Sequence, residues 1–179
     1  MPRSTSRRHS ESPPRTRMQN LNAMLARLVA GGVEFVLVGG YAAVAHGASL
    51  MTRDVAICCR FSRENLIRLR DALAETHPRH RMTSDRQPLE LTDDLCARLN
   101  NLYLETDLCV LDCLGEVAGI GDYEAVLKNS MEVELPAGKF RMLDLDGLIR
   151  AKEAMGRPHD RLTVIQLRAI RERQTSDGG

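Results

Sequence analysis

At 179 residues the chain is long enough for one domain of ordinary size. Its hydrophobic fraction of 43%, with 3% aromatics and no Trp, predicts a core built of Leu, Val, Ala, Ile and Met. A formal charge of +1 provides no global field toward nucleic acid or an anionic membrane, and no apolar run approaches the ~20 residues of a membrane span.

Residues 1–17 are rich in Ser, Arg and Pro and have little to bury, which predicts a disordered basic tail. Without an apolar stretch this start does not read as a secretory signal. Over residues 18–30, Leu21, Leu25 and Leu28 recur at helical spacing, and Gly31-Gly32 stops the helix. The β-branched run over 33–38 predicts a buried strand ending at Gly39-Gly40, followed by a small helix-compatible stretch to His46. A second strand is expected over 54–59. Alternation puts Asp54, Ala56 and Cys58 on one face and Val55, Ile57 and Cys59 on the other. Ser62 is the expected N-cap of a helix from Arg63 to about Glu75.

Residues 76–97 are polar, broken by Pro78 and Pro88, and read as an irregular excursion with a short strand near residues 80–82. The runs 101–105 and 108–114 predict a hairpin turning at Thr106-Asp107, with Asp112 on its second arm. Asp122 is placed to cap a helix through Leu127, and a second hairpin is expected over 132–142 around Pro136-Ala137-Gly138. Asp144 caps a helix holding Leu145, Leu148, Ile149 and Lys152, which Gly156-Arg157-Pro158 breaks. The last helix runs to about Arg173, with Leu162, Ile165, Leu167 and Ile170 as its apolar residues, leaving 174–179 as a second disordered tail. Residues 18–173 therefore read as one domain. The five cysteines have no Cys-x-x-Cys spacing and sit in apolar runs, as buried reduced thiols of a cytoplasmic protein would.

Three features carry chemistry. Glycines at 39 and 40 let a ligand approach the backbone closely, and the N–H groups of the following helix favour an anion. Asp54 and Asp112 are carboxylates in otherwise apolar strands, where they need a cation; together they would offer hard oxygen ligands to Mg²⁺ beside substrate phosphates. Lys152 shares the inner side of its helix with Leu148 and Ile149, and it and Arg157 could reach triphosphate oxygens, with Asp160 next to them. On the residues alone, a solvated strand-end Asp54 and a snorkelling Lys152 fit equally well. The histidines have no metal-binding spacing.

These segments, Phe35-Val36-Leu37-Val38-Gly39-Gly40, Thr52-Arg53-Asp54-Val55, Leu111-Asp112-Cys113-Leu114 and Leu148-Ile149-Arg150-Ala151-Lys152 with Gly156-Arg157-Pro158-His159-Asp160, resemble in that order the nucleotidyltransferase-fold proteins grouped with the AbiEii/AbiGii toxin family. The resemblance covers about residues 18–173. It implies an α/β (α+β) fold: a mixed sheet flanked by helices, with a C-terminal helical segment. It also implies transfer of a nucleoside monophosphate from a nucleoside triphosphate to an acceptor, with release of pyrophosphate, in a toxin–antitoxin toxin whose partner is an antitoxin protein. By that likeness Gly39, Gly40, Lys152 and Arg157 bind nucleotide, and Asp54 and Asp112 are catalytic and bind Mg²⁺ or Mn²⁺.

The sequence departs from the family pattern at Ala56, where the second carboxylate of an Asp-x-Asp pair is expected, and at Gly40, where a serine is common. Ala56 implies activity that is weakened or abolished. The acceptor stays open among a tRNA 3′ end, a protein side chain and a small molecule. Two other readings stay open as well: an inactive nucleotide-binding or interaction module of the same fold, and an antibiotic-adenylylating resistance enzyme. For the latter, the stretch holding Asp85, Glu90, Asp93 and Asp94 would line a cationic drug's pocket.

Overall fold

Residues 15–178 are described in a computed structural model. The expected leading tail lies outside that range as far as residue 14. Its final residues instead start helix α1 (Arg17–Ala30), because Thr16 and Gln19 form a capping box: the Thr16 hydroxyl accepts from the Gln19 N–H, and the Gln19 carboxamide oxygen accepts from the Thr16 N–H at 2.7 Å. Leu21, Met24, Leu25 and Leu28 are all buried along one stripe of this helix.

Strand β1 (Phe35–Val38) runs straight into α2 (Gly39–Ala45), and β2 (Asp54–Cys59) follows and pairs antiparallel with it. Ser62 caps α3 (Arg63–Leu73) as expected, accepting from the Asn65 N–H. The irregular excursion contains a two-residue strand β3 (Arg79–His80) and a short helix α4 (Asp93–Cys96) capped by Thr92, a single turn too brief to show helical periodicity. The first hairpin is β4 (Asn101–Glu105) and β5 (Val110–Leu114), its turn held by the Thr106 hydroxyl, which accepts from Leu108 N–H and Cys109 N–H. A small two-stranded ribbon, β6 (Glu116–Val117) and β7 (Gly121–Asp122), precedes α5 (Tyr123–Lys128), which Asp122 caps. The second hairpin is β8 (Ser130–Leu135) and β9 (Gly138–Leu143). Asp144 caps α6 (Leu145–Met155), and α7 (Pro158–Ser176) starts with proline at its first position.

The main sheet has the order β3-β4-β5-β2-β1-β9-β8. Its centre is mixed: β2 lies parallel to β5 and β1 parallel to β9, while the other neighbours are antiparallel. The α/β, nucleotidyltransferase-like expectation of a mixed sheet flanked by helices, with a C-terminal helical segment, is what the chain forms. One face of β2 and β5 is sealed by Val55, Ile57, Leu111 and Cys113, all fully buried. The buried Asn65 side chain ties the sheet to α3: its oxygen accepts from the Glu34 N–H at 2.7 Å, and its amide donates to the carbonyls of Glu34 and Arg60 at 2.9 Å each.

Two corrections concern α7. It continues to Ser176, beyond the expected end at Arg173, so the trailing segment is helical that far. Leu162 and Ile165, expected on its apolar face, are each 65% exposed, because the buried stripe of the helix falls on Asp160, Thr163, Val164, Leu167 and Ile170. All five cysteines are free thiols, four of them buried. Burial pushes Cys58 and Cys109 up to about 12. Among the described residues no helix is long and apolar enough to cross a membrane.

Candidate functional site

The direct passage from β1 into α2 depends on Gly39. Its φ is +71°, and a Cβ built there would stand 3.0 Å from the Ala56 Cβ, so a side chain meets both backbone strain and a close contact. Gly40 has ordinary backbone angles but faces Thr52, whose hydroxyl would lie 3.2 Å from an added Cβ. That hydroxyl donates to the Asp54 carbonyl at 3.1 Å, closing the turn that delivers Asp54 to the head of β2. The two glycines and the Thr52–Asp54 turn therefore form adjoining walls of one opening.

The sheet register builds the floor. Tyr103 pairs with Asp112, Asp112 with Ala56, and Ala56 with Val38, in one row across β4, β5, β2 and β1. Paired residues project to the same face, and all four line a cleft of about 680 Å³ together with Gly39, Gly40 and Asp54. Asp54 lies two residues before Ala56 on that same face, exposed at the rim. Lys152 and Arg157 reach the cleft from α6 and the turn after it. The site residues expected from sequence (Gly39, Gly40, Asp54, Asp112, Lys152 and Arg157) thus converge on a single cleft. The acidic stretch Asp85, Glu90, Asp93 and Asp94 does not line it.

The basic residues have a specific partner. Asp160, fully buried at the start of α7, receives the Lys152 ammonium at 3.0 Å and the Arg157 Nε at 2.6 Å. Burial pushes the Asp160 carboxyl up, but the hydrogen bonds from Arg157 and Lys152 outweigh it and hold the group at about 2. Lys152 is itself buried, neither solvated nor snorkelling, while half of the Arg157 side chain remains exposed to the cleft. Arg157 is therefore the more accessible cation of the two, and Lys152 anchors the carboxylate that orients it.

One participant was not visible in the sequence. The Arg81 Nη2 donates to Asp112 Oδ1 at 2.6 Å, and its guanidinium lies over the Tyr103 ring, 5.5 Å from the centroid. The Arg81 N–H donates to the Tyr103 carbonyl at 3.0 Å, fixing the residue beside the row. The Asp112 hydrogen bond raises the Arg81 guanidinium above its ordinary range, with further Coulombic support from Asp112 and Asp54. Nothing in the spacing of residues 76–97 marks Arg81; only the pairing of β3 with β4 and of β4 with β5 brings it to Asp112.

The residues do not fit a two-ion metal centre. Ala56 offers a methyl group in place of a second carboxylate ligand, and Arg81 holds an oxygen of Asp112. Among the described residues, no group of three or more His, Cys, Asp or Glu side chains converges on a metal position.

No protein-family model matches the sequence, and neither does any curated protein. Among solved structures, the chain is similar to a Thermotoga maritima protein described as a nucleotidyltransferase, with a TM-score of 0.55 and 16% identity over 89% of this chain and 96% of that one. It is also similar to an antigenic nucleotidyltransferase-like protein of Paracoccidioides brasiliensis, with a TM-score of 0.54 and 14% identity over 84% of this chain and 75% of that one. At these identities the likeness is one of fold, and the fold is nucleotidyltransferase-like.

Proposed function

We propose that the cleft binds a nucleoside triphosphate and that the chain is a nucleotidyltransferase whose transfer step is weakened by Ala56. The observation supporting this reading is the convergence of four segments distant in sequence, the glycine turn, Asp54, Asp112 and the Arg157–Lys152 pair, on one cleft of about 680 Å³. Gly39 and Gly40 leave the space that phosphates would occupy, and the exposed side of Arg157, oriented by Asp160, meets a phosphate oxygen with a planar donor edge. Asp54 and Asp112 face the same space and are the groups placed to accept a proton from an attacking hydroxyl. In that reaction the acceptor oxygen bonds to the α-phosphorus while the bond to the β-phosphate oxygen breaks and pyrophosphate leaves. Following the motif resemblance to AbiEii/AbiGii toxins, the acceptor is a tRNA 3′ end or a protein, and the partner an antitoxin protein. Incubation with each labelled nucleoside triphosphate, Mg²⁺ and total RNA or lysate tests this; absence of any label transfer, by the protein and by its Ala56→Asp variant, rejects it.

A second reading, a nucleotide-binding module without turnover, is favoured by the Ala56 methyl and the Arg81–Asp112 ion pair. Calorimetry with a non-hydrolysable triphosphate separates the two: binding without label transfer supports the module, and turnover by the unaltered chain excludes it.

A further inference from the structure

We infer that Arg81 stands in the cation position of this cleft, so that a nucleoside triphosphate binds there without a divalent metal. The inference rests on the nucleotide reading of the cleft and specifies the ionic form of the ligand. Two carboxylates and a triphosphate cannot share a cavity unless positive charge lies between them. In a metal-dependent site that charge is a divalent ion. Here a guanidinium already sits against Asp112 at 2.6 Å, within the field of Asp54.

The position is built rather than incidental. The Arg81 backbone is tied to Tyr103, its guanidinium rests on the Tyr103 ring, and its side chain is only 30% exposed. Asp112 and Tyr103 are direct partners across β5 and β4, so the ring and the carboxylate that receive Arg81 are locked to each other by the sheet. The Arg81 Nε is buried and has no hydrogen-bond partner among the described residues, which leaves donor capacity on the side chain that an anion can satisfy with a small shift. A divalent ion at Asp112 would either displace this charge-assisted hydrogen bond or take the remaining carboxylate oxygen directly beside the guanidinium, so the two cations oppose each other. The loss of the carboxylate at position 56 fits the same arrangement: a single guanidinium balances Asp112 and Asp54 less completely with every acid added, and the position nearest Asp112 carries none. Arg53, Arg81, Lys152 and Arg157 surround the cavity against Asp54, Asp112 and the buried Asp160, leaving an excess of positive charge for a metal-free polyphosphate.

The test is calorimetry of ATP and GTP binding to the full chain, in EDTA and in excess Mg²⁺, beside a titration of Mn²⁺ alone followed by its electron spin resonance signal. The expected result is nucleotide affinity equal within about twofold in the two conditions, and no specific Mn²⁺ binding without nucleotide. In Arg81→Gln, confirmed as folded by its thermal melt, binding in EDTA falls about tenfold or more, while Mn²⁺ alone now binds at the freed carboxylates; Arg81→Lys retains the metal-free binding. Nucleotide binding that appears only with Mg²⁺, or specific Mn²⁺ binding to the unaltered chain, overturns the role of Arg81 and leaves the nucleotide reading intact. Absence of nucleotide binding in both conditions overturns both.

Discussion

Ala56 on β2 and Asp112 on β5 are direct partners in the parallel ladder, so a methyl group and a carboxylate stand side by side on the cleft floor. A carboxylate at position 56 would share the same face and adjoin both Asp112 and, two residues away, Asp54. The Ala56→Asp substitution is therefore expected to raise label transfer in Mg²⁺ by about tenfold or more, equivalent to ~1.4 kcal/mol of transition-state stabilisation. It is also expected to lower stability in metal-free buffer by up to about 1 kcal/mol, because like charges oppose each other across the ladder. Side-by-side transfer assays and thermal melts of the two proteins check both outcomes.

Asp160 separates structural from phosphate-binding roles among the basic residues. Asp160→Asn leaves the buried Lys152 ammonium without its charge partner and is expected to cost about 3 kcal/mol of stability, read as a fall in denaturation midpoint. Arg157→Gln leaves the Lys152–Asp160 pair in place, so it should cost less than about 1 kcal/mol while weakening triphosphate binding. Equal losses of stability in the two variants would contradict this division.

The same carboxylate sets an acid limit. Its folded value of about 2 lies below its ordinary 3.8, so its contribution to stability is complete above pH 4 and is lost as pH falls through 2. Discounted for solvent screening, that contribution is on the order of 1–2 kcal/mol. In a pH series of denaturant melts, the Asp160→Asn variant should lose less stability than the unaltered chain over that interval.

Two thiols, the buried Cys58 and the half-buried Cys109, set an alkaline limit with the opposite sign. Cys58 and Cys109 are raised to about 12 from 9, so both stay protonated in the fold and ionise more readily when unfolded. Their contribution is intact below pH 9 and is lost as pH rises toward 12. At pH 8 a thiol-reactive disulfide reagent should label the native protein far more slowly than the denatured chain, and equal rates would refute the burial argument.

The paired glycines should behave differently. Gly39→Ala meets both a left-handed φ and the Ala56 methyl, and is expected to cost about 1–3 kcal/mol. Gly40→Ala needs only a small shift of the Thr52 hydroxyl, so it should cost less in thermal melts while narrowing the cleft.

Much of this protein follows from local rules. Period-2 alternation put Asp54 and Ala56 on one face, capping residues Ser62, Asp122 and Asp144 located three helix starts, the runs 101–105 and 108–114 contained the two strands of the first hairpin, and the run 132–142 covered most of the second. Those features depend on residues within a few positions of one another, so the sequence determined them. The capping box at Thr16 is equally local, and lies within the stretch whose composition suggested a tail. The tertiary structure alone decided which residues became neighbours. The level pairing of Ala56 with Asp112 depends on the register of two strands some 50 residues apart, and the guanidinium beside them arrives from an irregular segment held by edge-strand pairing. Lys152 could be read as solvated or buried until α7 packed on α6 and enclosed Asp160 against it. Long-range packing sets the dielectric and the charge partners of a side chain, and those two quantities turned a set of motif residues into a cleft whose acidic floor is already paired with a cation.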